Sequence, residues 1–136
     1  EVAAAYVAII DASYTRLQDP NPSDPSIAEQ HVGESLTKTL ENNRSALANG
    51  RRYRFTELGP PRITVRSVDV TGTNEAVILN CIVDDVVVFD QATGAILDDS
   101  LDIGEMRSVL VRDAGRWKLS TQTMLEESTE AVSCAR

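Results

Sequence analysis

The sequence is poor in the residues that most metal, redox and nucleophilic chemistry needs. It holds one histidine, two cysteines and 4% aromatic residues. A lone His31 with no neighbouring Cys or His is poor geometry for zinc, which takes three or four N or S ligands. No CxxC pair, Ser–His–Asp order or glycine-rich phosphate loop occurs, so nothing in the sequence asks for a cofactor. Basic residues are outnumbered, 13 Lys and Arg against 21 Asp and Glu, giving a net charge of −8 and a pI near 4.6. Such a chain repels phosphate backbones, which disfavours nucleic acid and anionic membrane surfaces as partners. No apolar run approaches the roughly 18 residues needed to span a bilayer. Contact with a membrane would then come only through an anchor upstream. The opening "EVAAAYVAII" is helical in pattern, without an initiator Met or a basic n-region, and reads as a processed or trimmed chain whose export signal lay upstream.

What is present suits one folded domain over 1–136, 42% hydrophobic and 25% charged. In "EVAAAYVAIIDASYTRLQ" the residues Ala3, Tyr6, Ile10, Tyr14 and Leu17 form a helical stripe with Val2 and Ile9 beside it. Pro20, Pro22 and Pro25 in "DPNPSDPS" end that helix. Asp24 and Pro25 then open a short helix through about His31. A third helix is expected over 33–48 with Leu36, Leu40 and Leu47 on one face, stopped by Gly50 in a left-handed conformation. Beyond Gly50 the period becomes two. "RRYRFTEL" and "RITVRSVDV" read as paired strands around "GPP". "EAVILNCIVDDVVVF" places Val77, Leu79, Cys81 and Val83 on one side and Ile78 and Ile82 on the other, a central strand covered on both faces. "DQATG" is a hairpin turn, and "RSVLVRD" and "WKLSTQTML" close the chain around "AGR". The plan is α+β, three N-terminal helices packed on a curved antiparallel sheet.

Cys81 lies in the apolar strand and Cys134 in the polar "STEAVSCAR". We expect them to be bonded rather than two unrelated thiols. The bridge would close 134 − 81 = 53 positions, contributing roughly 4 kcal/mol in the chain-entropy account. An oxidised pair implies an exported protein, secreted or associated with the cell envelope.

The order helix, proline loop, short helix, helix, strands resembles the nuclear transport factor 2-like superfamily, also called SnoaL-like. The closing hairpin "RDAGRWKLS" and the Asp-x-x-Thr-Gly turn before it (Asp90 to Gly94) are similar to those of small exported domains and lipoproteins of high-GC Gram-positive bacteria. The resemblance implies a cone-shaped cavity between helices and sheet. It also implies one of two functions, since the superfamily holds enzymes such as ketosteroid isomerase beside catalytically silent binding domains. In ketosteroid isomerase the first helix carries a pocket tyrosine, a role that Tyr14 matches loosely.

Between Asp84 and Glu105 stand seven carboxylates and no Lys or Arg. Asp98, Ser100 and Asp102 fit the first positions of a calcium loop, but the glycine falls one place late at 104 and position twelve is Val109. We expect no metal site. Acid–base work would need one carboxylate buried with its pKa raised. The favoured expectation is a protruding hairpin with solvated acidic edges at Asp84–Asp85 and Asp98–Asp99, which also discourages edge-to-edge association. Arg44, Arg51, Arg52, Arg54, Arg62 and Arg66 crowd the first expected hairpin. They would pair with neighbouring acidic strands, or serve as an anion or partner patch (Arg52, Arg54, Arg62, Arg66), including a homodimer contact.

The expected pocket residues are Tyr6, Ile10, Tyr14, His31 and Trp117, with no catalytic residue assigned. The first functional reading is a non-catalytic exported domain binding a protein partner or a small apolar ligand. The alternative is a small-pocket isomerase or cyclase-like enzyme using Tyr14 with His31 or a carboxylate. A buried ionisable group beside Tyr14 would favour the enzyme; a filled or purely apolar cone would favour the binder.

Overall fold

The computed structural model describes residues 1–128, with side chains through Glu126. Cys134, and with it the expected bridge to Cys81, lies outside the described residues. Three helices lead the chain: α1 (Val2–Arg16), α2 (Ser26–Gln30) and α3 (Gly33–Asn49). Seven strands follow: β1 (Arg51–Arg54), β2 (Arg62–Val70), β3 (Glu75–Asp84), β4 (Val87–Asp90), β5 (Ile96–Asp98), β6 (Asp102–Asp113) and β7 (Arg116–Ser128). Among the described residues no helix is long and apolar enough to cross a membrane.

The start and stop signals act as their chemistry dictates. The Asp24 carboxylate accepts the Ser26 N–H at 2.9 Å, supplying an orphan donor of α2 with a partner. Gly50 ends α3 at φ +68°, a conformation costly for residues with a Cβ. Between β6 and β7 the turn residues Ala114 and Gly115 both take positive φ, +53° and +75°. That is the two-residue turn whose twist matches an antiparallel pair.

Four strands, in the order β2-β3-β6-β7, form one antiparallel sheet, and β1-β4-β5 form a smaller one. The two expected strands around "GPP" are therefore not partners. β1 pairs with β4 (Arg52 opposite Phe89) and β2 with β3 (Ile63 opposite Ile82). Pro60 and Pro61 cannot donate to a ladder, and Gly59 turns at φ +82°, so the chain turns a corner there instead of folding back. A second corner lies at Asp85–Val86. The long apolar strand stops at Asp84 because its Oδ1 accepts the Val86 N–H at 2.9 Å, a local side-chain bond that competes with the ladder.

The core lies on the helix-facing side of the large sheet. Tyr6, Ile9 and Ile10 of α1 pack against Ala76, Ile78 and Ile82 of β3 and against Leu110, Trp117 and Leu119. β3 is covered less evenly than expected, since Val77, Leu79 and Val83 on its other face are half-buried, while Cys81 is buried there with Ile103. The leucine stripe of α3 is also corrected. Its buried residues are Ser35, Asn43 and Ala46, whereas Leu36 and Leu40 are half-buried and Leu47 is 47% exposed. The inward face of α3 is polar because part of it looks onto a cavity rather than onto core.

Candidate functional site

The cavity opens between the helices and the concave face of the sheet, with a volume of about 470 Å³. α1 contributes Ile10, Ser13, Tyr14 and Leu17, one face at helical spacing. α3 adds Ser35, Thr39 and Asn42, and β1 adds Tyr53. From the strands come Ile82 and Asp84 of β3, Gly104 and Met106 of β6, and Leu119, Gln122 and Met124 of β7, with Asp102 at the start of β6. Gly104 leaves room that Met124 uses, since a Cβ there would stand 2.8 Å from the Met124 sulfur.

One end of the cavity is acidic. Asp84 and Asp102 stand directly opposite each other across the β3–β6 ladder. The Tyr14 hydroxyl donates to Asp84 Oδ2 at 3.1 Å, while Oδ1 takes the Val86 N–H. Burial raises the Asp84 pKa above the ordinary carboxylate value, and the charges of Asp102 and Asp85 push the same way. Burial and the neighbouring Asp84 charge likewise push the Tyr14 phenol up. Tyr53 packs beside Tyr14 with ring centroids 5.9 Å apart, and its phenol is also raised, by burial and then by Asp84.

His31 also borders the cavity, 2% exposed at the end of α2. Its Nδ1 lies 2.7 Å from Ser35 Oγ and its Nε2 3.2 Å from Ser13 Oγ. Ser13 already donates to the Ile9 carbonyl at 2.8 Å. The imidazole proton therefore sits on Nε2, donated to Ser13, while Nδ1 accepts the Ser35 hydroxyl. Burial, with the charge of Arg16 second, lowers the His31 pKa to about 4. Both ring nitrogens are engaged and the ring is neutral, so its role is to tie α1, α2 and α3 together.

Of the residues expected in the pocket, Ile10, Tyr14 and His31 line it. Tyr6 does not. It is fully buried, donating to Asn80 Oδ1 at 2.9 Å and accepting from Ser108 Oγ and Gln122 Nε2. Trp117 belongs to the core beneath the Arg112 guanidinium, 4.7 Å from its ring centroid. Asp84 and Asp85 depart from the expected solvated edges. Asp84 lines the cavity, and Asp85 accepts from Thr56 at 3.0 Å and faces Arg62 at 3.7 Å. Asp98 and Asp99 are exposed, and Asp98 Oδ1 is taken by the backbone and hydroxyl of Ser100.

The arginine patch is dispersed. Arg52 is buried, donating to the carbonyls of Arg51 and Ala46, and Arg54 lies over Phe89 at 5.4 Å. Arg62 and Arg66 stand on the other sheet, with β2. The place of Asp84 had a signal in the sequence. It continues the alternation Ile78, Asn80, Ile82 onto the helix-facing side, two residues beyond the last apolar member.

The coordinates align over 91% of the chain with 94% of the intermembrane space region of the chloroplast protein ARC6, at 15% identity and a TM-score of 0.73. A ketosteroid isomerase-like protein from Erwinia carotovora atroseptica aligns over 90% of this chain and 95% of its own, at 14% identity and a TM-score of 0.52. The fold is the nuclear transport factor 2-like cone. No protein-family model and no curated protein sequence matches the chain. At such identities the likeness speaks for the cone and not for a shared chemistry.

Proposed function

We propose that the chain is a small-molecule-binding domain whose cone takes a largely apolar ligand with one polar end. The observation that carries this reading is an open cavity of about 470 Å³. It is apolar along Ile10, Leu17, Ile82, Met106 and Leu119, polar along α3 at Ser35, Thr39 and Asn42, and acidic at one end where Asp84 and Asp102 stand near Tyr14. Its size falls within the roughly 300–1,000 Å³ of small-ligand sites, and the apolar stretch gives a ligand body a wall to pack on while the acidic end orients it. Titration with a set of amphipathic fragments, followed by amide chemical shifts, tests it. Shifts should gather on α1, β3 and β6 in the wild type and vanish in Met106→Trp, which fills the cone. Fragments that shift only surface residues, or that bind Met106→Trp equally well, would overturn it.

A second reading is supported by the half-buried Asp84 beside Tyr14, and by likeness to a protein named ketosteroid isomerase-like. A carboxylate with a raised pKa suits general-base work, and Asp84 would move a proton from one carbon of a ligand to another. His31 is unsuited because both of its nitrogens are engaged. An ionisable Asp84 beside Tyr14 counts toward the enzyme by the criterion set from the sequence. The binding reading is kept first because the Tyr14 hydroxyl donates its one hydrogen to Asp84 and is not free to steady a developing oxyanion. Enolisable ketones screened against wild type, Tyr14→Phe and Asp84→Asn separate the two. A binder turns none over, and Tyr14→Phe costs it about 0.5–1.5 kcal/mol for one ordinary hydrogen bond. Turnover that falls a hundredfold or more in Tyr14→Phe, the scale of a lost transition-state donor, would establish the enzyme.

The same reading keeps the domain in an exported setting, secreted or held at the cell envelope. It rests there on the bridge proposed between Cys81 and Cys134.

A further inference from the structure

We infer that the ligand of the cone is a cation, a protonated amine on an apolar body, seated between Asp84 and Asp102. The inference rests on the binding reading above and names the class of ligand for that same cavity. Asp84 and Asp102 are direct cross-strand partners on the cavity wall. Like charges so placed repel, which proteins ordinarily avoid or compensate. Among the described residues neither carboxylate forms an ion pair. Lys38 also reaches the cavity, yet it is largely exposed and bound to Glu34 at 2.7 Å. His31 is at the cavity wall too, with both ring nitrogens spent on serines.

The hydrogen bonds around Asp84 also fit a carboxylate rather than a carboxylic acid. Each of its oxygens already accepts a hydrogen bond, Oδ2 from the Tyr14 hydroxyl and Oδ1 from the Val86 N–H. Asp102 has no hydrogen-bond partner of its own among the described residues and faces the same space. Beside the pair stand the two tyrosine rings, 5.9 Å apart, and aromatic faces favour a cation through their quadrupole. On the sheet side Ile82, Met106 and Met124 give an apolar surface for the ligand body. A group that brings one positive charge and two or three N–H donors satisfies both carboxylates, while an alcohol brings one donor and no charge.

The test uses three probes of one shape, 4-phenylbutylamine, 4-phenylbutan-1-ol and 4-phenylbutanoate, titrated calorimetrically at pH 7 and low salt. The amine should bind at least tenfold more tightly than the alcohol, and the carboxylate more weakly than either. Asp102→Asn exchanges a carboxylate that accepts no hydrogen bond among the described residues for a neutral amide, and it relieves the repulsion with Asp84. The melting temperature should therefore not fall, while the amine's advantage drops threefold or more. Asp84→Asn should reduce it further, with alcohol binding kept. An alcohol that binds as well as the amine, or an advantage unchanged in Asp102→Asn, overturns the amine while the cavity reading stands. If none of the three binds below millimolar concentrations, both readings fall.

Discussion

His31 is the chain's only histidine, and its burial makes acid stability a direct test of the structure. Its ordinary pKa is 6.5 and its folded value about 4. The unfolded chain takes up the proton first, so stability is fully present above 6.5 and is lost as pH falls toward 4. With 1.36 kcal/mol per pH unit, the loss between pH 7.5 and pH 5 is about 2 kcal/mol. The other perturbed groups do not mimic it. Asp84 has a raised folded pKa, so its buried charge costs stability at neutral pH and is relieved on acidification, the opposite slope. Asp24 and Asp98 have depressed values, and their contributions vanish only as pH falls below about 3.8. Urea unfolding of wild type and His31→Gln at pH 7.5, 6.5, 5.5 and 5.0 isolates the histidine. Gln keeps a donor and an acceptor for Ser13 and Ser35 but cannot titrate. The wild type should lose about 2 kcal/mol more than the variant over that range. Equal slopes for the two proteins would refute the buried, neutral imidazole.

Tyr6→Phe should cost about 1–3 kcal/mol, because it strips the donor from buried Asn80 and the acceptor from Ser108 and Gln122; the denaturation midpoint should fall with the slope m unchanged. Gly104→Ala should change stability by less than about 1 kcal/mol, since only the flexible end of Met124 must move, yet it should weaken fragment binding by narrowing the cone, as titration would register. Natively purified protein should gain the mass of about two protons on reduction of Cys81 and Cys134 and lose a few kcal/mol of stability; two thiols alkylated without reductant would contradict both the bond and the exported setting.

The helices and most strands were legible in the sequence, because proline, Gly50 and the turn glycines fix where the chain must stop. The pairing around "GPP" was not, because two flanking β-patterned segments look alike whether they meet each other or different sheets. The leucines of α3 misled for a related reason: periodicity reports an apolar face, and here the inward face is Ser35, Thr39 and Asn43, polar where it borders a cavity. Asp84 was the costliest misreading. Two consecutive aspartates in a strand suggested a solvated edge, whereas one of them faces the cavity at the point where the strand ends. An Asp followed two residues later by a free backbone N–H is itself a bend signal, and at Asp84–Val86 it outweighs the apolar run. Ile10, Tyr14 and His31 could be placed at the cavity from helix geometry, but Asp102 and Tyr53 needed the register of β3 with β6 and of β1 with β4.

All three helices rest on β7, the last described strand, and the ties are long: Tyr6 reaches Gln122 and His31 bridges to Leu119. Helices that form early on a ribosome can meet β1, β2 and then β3, but their docking surface is complete only once β7 has emerged. Their apolar stripe, Tyr6, Ile9 and Ile10, is only partly covered by β3 until Leu110, Trp117 and Leu119 arrive. Contacts so distant in sequence are slow to form, since loop closure must precede any gain from burial. A domain built this way completes the cover of its first helix only when the last described strand is in place.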